Sequence, residues 1–206
     1  LVGRLDPKEG VKTVRVLIHG GSHKTGTTAF QKSVFPKLPE LSAGQIIYNP
    51  PVLYNILTDH WKRDIFAFSE QEIYEASTFF EQCEAPTVFI SAECFSGDLF
   101  NGYRLENHGE KVRALKTILP AESDLHFLLT VREATSWIVS AYRESVKDHH
   151  YNTFEEFVEN FEFSSNGTLI LSQQSLLTAV SEQGHPLTVL RYEELKTDNA
   201  LMLRTI

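Results

Sequence analysis

Residues 14–31, VRVLIHGGSHKTGTTAFQ, constrain this chain more than any other stretch. A short apolar run rich in Val and Ile is what a strand buried on both faces of a sheet requires. Gly20, Gly21 and Gly26 punctuate the residues after it, and a helix start comes next. Strand, glycine-bearing loop and helix N-terminus together make a candidate phosphate-binding loop, with a plain tight turn as the alternative. Glycines let backbone N–H groups turn toward the ligand, the helix end adds partial positive charge, and Lys24, Thr27 and Thr28 supply side-chain donors. The residue order excludes the triphosphate-cleaving version of such a loop, which ends in Gly-Lys-Ser/Thr. Here Gly26 is followed by Thr27, and Lys24 stands two residues before the glycine.

The rest of the chain alternates strands with helices. Residues 87–91 (TVFIS), 125–131 (LHFLLTV) and 187–190 (LTVL) read as buried strands, and residues 45–48 as a brief one ended by Asn49-Pro50-Pro51. Between them lie helical stretches: 27–35, stopped by Pro36 and Pro39; 52–65, favoured by its length; and 69–83, opened by a Ser69/Glu72 capping box. Residues 99–108 read as a loop, after which Asn107 and Glu110 cap a helix that Pro120 ends. Residues 133–147 form a two-faced helix, with Ala134, Trp137, Ile138 and Ala141 apolar and Ser136, Ser140, Arg143 and Lys147 on a polar stripe. A second capping box, Thr153/Glu156, opens a helix to about residue 161; a longer helix follows Gly167 through Ser181, and Asp198 is placed to cap a last one. Strand and helix alternation without an internal repeat predicts an α/β fold, a parallel β-sheet with helices on both faces. At 206 residues, with no Pro/Gly/Ser-rich linker, residues 1–206 are expected to form a single domain.

Composition narrows the function. A net charge of −8 argues against a general nucleic-acid binder, which needs a basic face, but allows a local basic pocket. Cys83 and Cys94 are too few for a disulfide framework, lack His or Cys neighbours at zinc-ligand spacing, and are expected to be reduced and structural. No metal is expected. No apolar run approaches the ~20 residues needed to span a bilayer, so the chain is expected to be soluble and, by default, cytoplasmic. It starts at Leu1, which leaves a removed signal or anchor open.

Glu93 lies just past the strand at 87–91, and a carboxylate beyond the C-terminal end of a parallel strand stands where ligands bind in open α/β sheets. It is a candidate site residue, with His108 in reserve; its plain alternatives are a turn cap and a solvent-facing side chain. Lys24 could be solvated surface, and Arg132 could pair with Glu133 or Glu144. His19 and His23 flank the glycine loop and read as packing or hydrogen-bonding residues, while His126 reads as core or interface. Trp61, Tyr103, Tyr48 and Tyr54 line a cleft or fill the core. The helix bearing Glu155, Glu156 and Glu159 reads as a solvated face.

The order His23-Lys24-Thr25-Gly26-Thr27-Thr28 resembles the 5′-phosphosulfate loop of the sulfotransferases that use 3′-phosphoadenosine 5′-phosphosulfate (PAPS), in a bacterial-looking branch where histidine replaces the usual proline before the lysine. Residues 129–142 (LTVREATSWIVSAY) resemble a second segment of that family, in which a strand-end arginine and a serine eight residues later hold the 3′-phosphate; Arg132 and Ser140 have that spacing. Arginine suits the task because its rigid fork of donors matches phosphate oxygens. Residues 189–195 (VLRYEEL) resemble the family's late strand and turn.

The resemblance implies a P-loop-like sulfotransferase fold and transfer of a sulfuryl group from PAPS to an acceptor hydroxyl, releasing adenosine 3′,5′-bisphosphate. His23, Lys24, Thr25, Gly26, Thr27, Thr28, Arg132 and Ser140 would hold the nucleotide, and Lys24 and Glu93 would be catalytic. Glu93 resembles the base of carbohydrate-sulfating branches, which favours a saccharide acceptor. Sulfotransferases usually add a later Lys/Arg/Gly-bearing loop over the 3′-phosphate, so this chain is expected to lack that C-terminal segment. Two rivals are a kinase with an atypical loop, which would want a magnesium-holding aspartate after a strand, and a catalytically inactive nucleotide-binding domain.

Overall fold

The computed structural model describes residues 13–21, 27–62, 67–96, 108–147, 150, 152–164 and 169–198. Five strands make one sheet: β1 (Arg15–Gly21), β2 (Ile46–Tyr48), β3 (Thr87–Ser91), β4 (Asp124–Val131) and β5 (Leu187–Arg191). Every pairing is parallel, in the order β2-β3-β1-β4-β5. Parallel neighbours force each connection to cross over through helix. The helices between strands are α1 (Thr27–Ser33), α2 (Pro39–Ser42), α3 (Pro51–Lys62), α4 (Glu70–Gln82), α5 (His108–Ala114), α6 (Ala134–Lys147), α7 (Phe154–Ser164) and α8 (Leu169–Glu182), and α9 (Tyr192–Thr197) follows β5.

Alternation along the strands splits the core into two layers. Val16, Ile18, Val88, Ile90, Phe127 and Leu129 face one way, against Leu57 and Trp61 of α3, Phe80 of α4, Val112 of α5 and Val180 of α8. Leu17, Phe89, Leu128 and Leu190 face the other, against Phe30 of α1, Phe35, and Leu195 of α9. Both layers of a central strand are therefore dry, which is why its sequence is continuously apolar. A smaller cluster, Trp137, Ala141 and Phe157, joins α6 to α7.

Local signals act where the sequence places them, with a few differences. Ser69 Oγ accepts from the Glu72 N–H, and the Glu72 carboxylate accepts from the Ser69 N–H at 2.7 Å, completing the first capping box. The second is displaced by one residue: Thr153 Oγ1 accepts from the Glu156 N–H, but the Glu156 carboxylate reaches the Asn152 N–H instead of that of Thr153. Pro39 opens α2, where its missing N–H costs nothing, and does not merely stop α1. Strand β1 runs on through Gly20 and Gly21, which are buried. His108 is the first residue of α5 and 2 % exposed, so it belongs to the helix and not to the loop assigned to residues 99–108; residues 97–107 lie outside the described region. Asp198 stands at the C-terminal end of α9, because residues 192–197 themselves wind into the helix. Neither Cys83 nor Cys94 is in a disulfide among the described residues.

Candidate active site

Strand β1 lies between β3 and β4, and the chain fills the sheet to one side of it before crossing to the other. The carboxyl ends of β1 and β4 therefore flank the switch point, where open α/β sheets bind ligands. Three segments leave the sheet here. β1 leads into residues 22–26, β3 into a tight turn beginning at Glu93, and β4 into Arg132.

His23, Lys24, Thr25 and Gly26 lie outside the described residues. Thr27 and Thr28 open α1, with Thr28 exposed. The backbone of Glu93 starts the turn after β3, two residues past Ser91; its side chain lies outside the described part of the molecule.

Arg132 is the best-defined member. Its Nε donates to Ser136 Oγ at 3.0 Å, and its guanidinium lies 4.6 Å from the centre of the Tyr192 ring, a cation–π stack. One edge and one face of the guanidinium are thereby fixed. The N-terminus of α6 is equally built. The Glu133 carboxylate accepts from the N–H groups of Ser136 (2.7 Å) and Thr135 (2.8 Å), and these bonds, Ser136 first, hold its carboxyl below the ordinary carboxylate range. Glu193 Oε1 accepts from the Glu133 N–H at 3.2 Å, so α9 docks on the start of α6 next to the residue that carries the Tyr192 ring. Ser140 is half-buried one turn beyond Ser136, and residues four apart on a helix share a face. Arg132 and Ser140 thus belong to one surface, while Arg143 and Lys147 of the polar stripe are exposed farther along α6.

Beneath the site runs a buried polar network. His19, fully buried in β1, makes hydrogen bonds through Nδ1 with Ser91 Oγ (2.7 Å) and through Nε2 with Thr130 Oγ1 (3.0 Å). Gln31 Nε2 of α1 donates to the Ser91 carbonyl (3.0 Å) and to Ser91 Oγ (3.1 Å). Asn49, held at a left-handed φ of 44° just past β2, accepts from the Ser91 N–H at 2.7 Å and donates to its carbonyl at 3.3 Å. The Tyr48 hydroxyl lies beside Ser91 without hydrogen-bond geometry, and burial pushes it up to about 12. His19 is accordingly a hydrogen-bonding residue, as its flanking position suggests, and the edge of its ring meets Phe35 at 5.3 Å. His126 pairs with Thr188 across β4 and β5 at 2.9 Å.

Sequence reasoning singled out Arg132 and Ser140 but missed Ser136, Tyr192, Gln31, Asn49 and Ser91 as supports. For Ser136 the signal is its four-residue spacing from Arg132. For Ser91 and Thr130 it is a lone hydroxyl near the end of an apolar strand, each matching the lone histidine of β1. Nothing in sequence announces that Tyr192 meets Arg132.

The described residues form an open parallel α/β domain with the start of α1 on one side of its switch point and a doubly supported arginine on the other. The sulfotransferase-domain family model matches residues 15–206, and the chain belongs to that family. It is a transferase of the sulfuryl-transferring kind, and the parallel sheet flanked by helices is the expected fold. No curated protein matches the chain. Among the described residues no helix is long and apolar enough to cross a membrane.

Proposed function

We propose that the chain binds PAPS across the switch point and transfers its sulfuryl group to an acceptor hydroxyl, with a saccharide the favoured acceptor. The observation that carries the reading is the fixed guanidinium of Arg132, set on one surface with Ser140 at the end of β4, beside the strand that leads into the glycine loop. A nucleotide with phosphates at both ends accounts for two anion-suited elements on one crevice. Arg132 and Ser140 take the 3′-phosphate. Residues 23–28 take the 5′-phosphosulfate through backbone N–H groups and the hydroxyls of Thr27 and Thr28.

The transfer is an in-line displacement, treated by analogy with phosphoryl transfer. Glu93 removes the acceptor proton, the acceptor oxygen forms a bond to sulfur, and the bond from sulfur to the bridging phosphate oxygen breaks. The electron pair and negative charge stay on that oxygen, where the Lys24 ammonium neutralises them as adenosine 3′,5′-bisphosphate leaves. Positioning of donor and acceptor supplies much of the remaining rate.

Thermal shift with adenosine 3′,5′-bisphosphate against ATP plus magnesium tests the donor. A ligand at one hundred times its Kd stabilises by about 2.7 kcal/mol, which for a domain of this size raises Tm by about 5–10 °C. Stabilisation by ATP plus magnesium alone would sink the reading. A bisphosphate shift that Lys24→Ala abolishes, followed by sulfuryl transfer to saccharide acceptors, supports it. The same shift with no transfer to any hydroxyl acceptor marks a binding domain without turnover.

A further inference from the structure

The catalytic elements of the proposed reaction leave the sheet at three separate strand ends, and one buried hydrogen-bonded hub ties all three together. Ser91 is bonded at every polar atom it has. Its N–H donates to Asn49, its carbonyl accepts from Gln31 and Asn49, and its hydroxyl meets both Gln31 and His19. His19 passes the connection on to Thr130. All three lie at the carboxyl ends of neighbouring strands: Ser91 is the last residue of β3 and pairs with His19 of β1, and Thr130, opposite Gly21, is one residue short of the end of β4. Gln31 lies one turn inside α1, so β1 through His19 and α1 through Gln31 are tied to the same serine.

Ladder hydrogen bonds already hold β1, β3 and β4 in register, whereas α1 packs on the sheet through Phe30, and apolar contact is not directional. A buried polar group is different: it costs free energy whenever its partner moves away. We infer that Ser91, with His19, Gln31 and Asn49, is a positioning hub that fixes the ends of β1, β3, β4 and the start of α1 relative to one another, and so sets the geometry in which the nucleotide is bound. This rests on the functional reading above. None of the four touches the reacting atoms in the proposal; they act through the segments they hold.

The test uses Gln31→Ala and Ser91→Ala in the full chain, with titration calorimetry of adenosine 3′,5′-bisphosphate, PAPS kinetics and thermal melting. Thr117→Ala is the control, because it removes a hydrogen bond to Ala114 at the opposite end of the sheet. Gln31→Ala breaks two bonds to Ser91 and is expected to weaken bisphosphate binding about tenfold, one lost bond in net free energy, and to lower kcat as well. Ser91→Ala also breaks two bonds and takes from the buried His19 Nδ1 its Ser91 partner, so it should weaken binding at least as much, and adding it to Gln31→Ala should cost less than the two separate losses combined, since both remove the same hydroxyl contact. Thr117→Ala should lower Tm while leaving Kd and kcat unchanged. Gln31 is half-exposed on a surface helix, so its variant carries the test should Ser91→Ala fail to fold. Variants that bind and turn over like the wild type overturn the hub. A Thr117→Ala effect on Kd equal to theirs also overturns it, since general destabilisation would then explain everything. A wild type that does not bind the bisphosphate overturns the nucleotide reading and the hub with it.

Discussion

Acidification should unload this fold through His60. The residue sits in α3 at 1 % exposure, stacked on Phe68 with ring centres 4.1 Å apart and edge-on to Trp61. Among the described residues neither ring nitrogen has a hydrogen-bond partner. Burial first, and then the nearby Lys111 ammonium, drive its pKa from the ordinary 6.5 down to about 4, with Glu72 pulling partly back. Lys111 is itself buried and anchored on the Trp61 carbonyl at 3.0 Å, so its charge cannot swing away. The folded pKa is lowered. Stability is therefore fully present above pH 6.5 and is lost as pH falls toward 4, because the unfolded chain takes up a proton that the native state refuses. The span of the shift, at about 1.4 kcal/mol per pH unit, amounts to about 3 kcal/mol. Urea unfolding at fixed ionic strength, from pH 7 to pH 4, measures it when the wild type is set against His60→Phe, which keeps the stack on Phe68. His126 and His185, also pushed down by burial, titrate in both proteins and cancel in the difference. The stability gap between the two proteins should shift by about 3 kcal/mol in favour of the variant on acidification. Parallel pH profiles would refute the reasoning.

Tyr192→Leu should weaken adenosine 3′,5′-bisphosphate binding about threefold to tenfold by removing the ring beneath Arg132, a contact worth about 0.5–1 kcal/mol when exposed and more when dry, while Tyr192→Phe should stay near wild type; calorimetric Kd values decide it. Ser69→Ala breaks a complete capping box and should cost about 1 kcal/mol, read as a fall in Tm of about 2–4 °C with no change in ligand affinity. Phe35→Ala empties the centre of the aromatic group formed with Phe30, Tyr48, Phe89 and His19, and should cost about 3–5 kcal/mol in urea unfolding.

Much of the fold was legible because its signals are local. The apolar runs at β1, β3 and β4 mark strands dry on both faces, and no helix of that length with Val and Ile so dense competes well. The Ser69/Glu72 box places the start of α4 because a cap is chemistry between residues three apart. Boundaries slipped where tertiary contacts decide: α9 forms from residues 192–197 in part because Glu193 and Tyr192 dock on α6 and on Arg132 just before it, a surface that propensity does not see. The site divides in the same way. Arg132 and Ser140 are visible as a spacing along one strand and helix, whereas the supports of Arg132 are a helical turn away in Ser136 and on a separate helix in Tyr192.

Periodicity along the chain was enough to choose strand or helix and, through the order of its motifs, to point to the family. Such signals depend on neighbours a few residues apart, so every stretch of the chain carries its own. The strand order β2-β3-β1-β4-β5, and with it the choice of strand ends that share a crevice, came from the folded molecule. So did the meeting of His19 with partners 72 and 111 residues away. A buried histidine must find donors and acceptors wherever packing puts them, and packing is settled by the whole sheet and not by any one stretch of it.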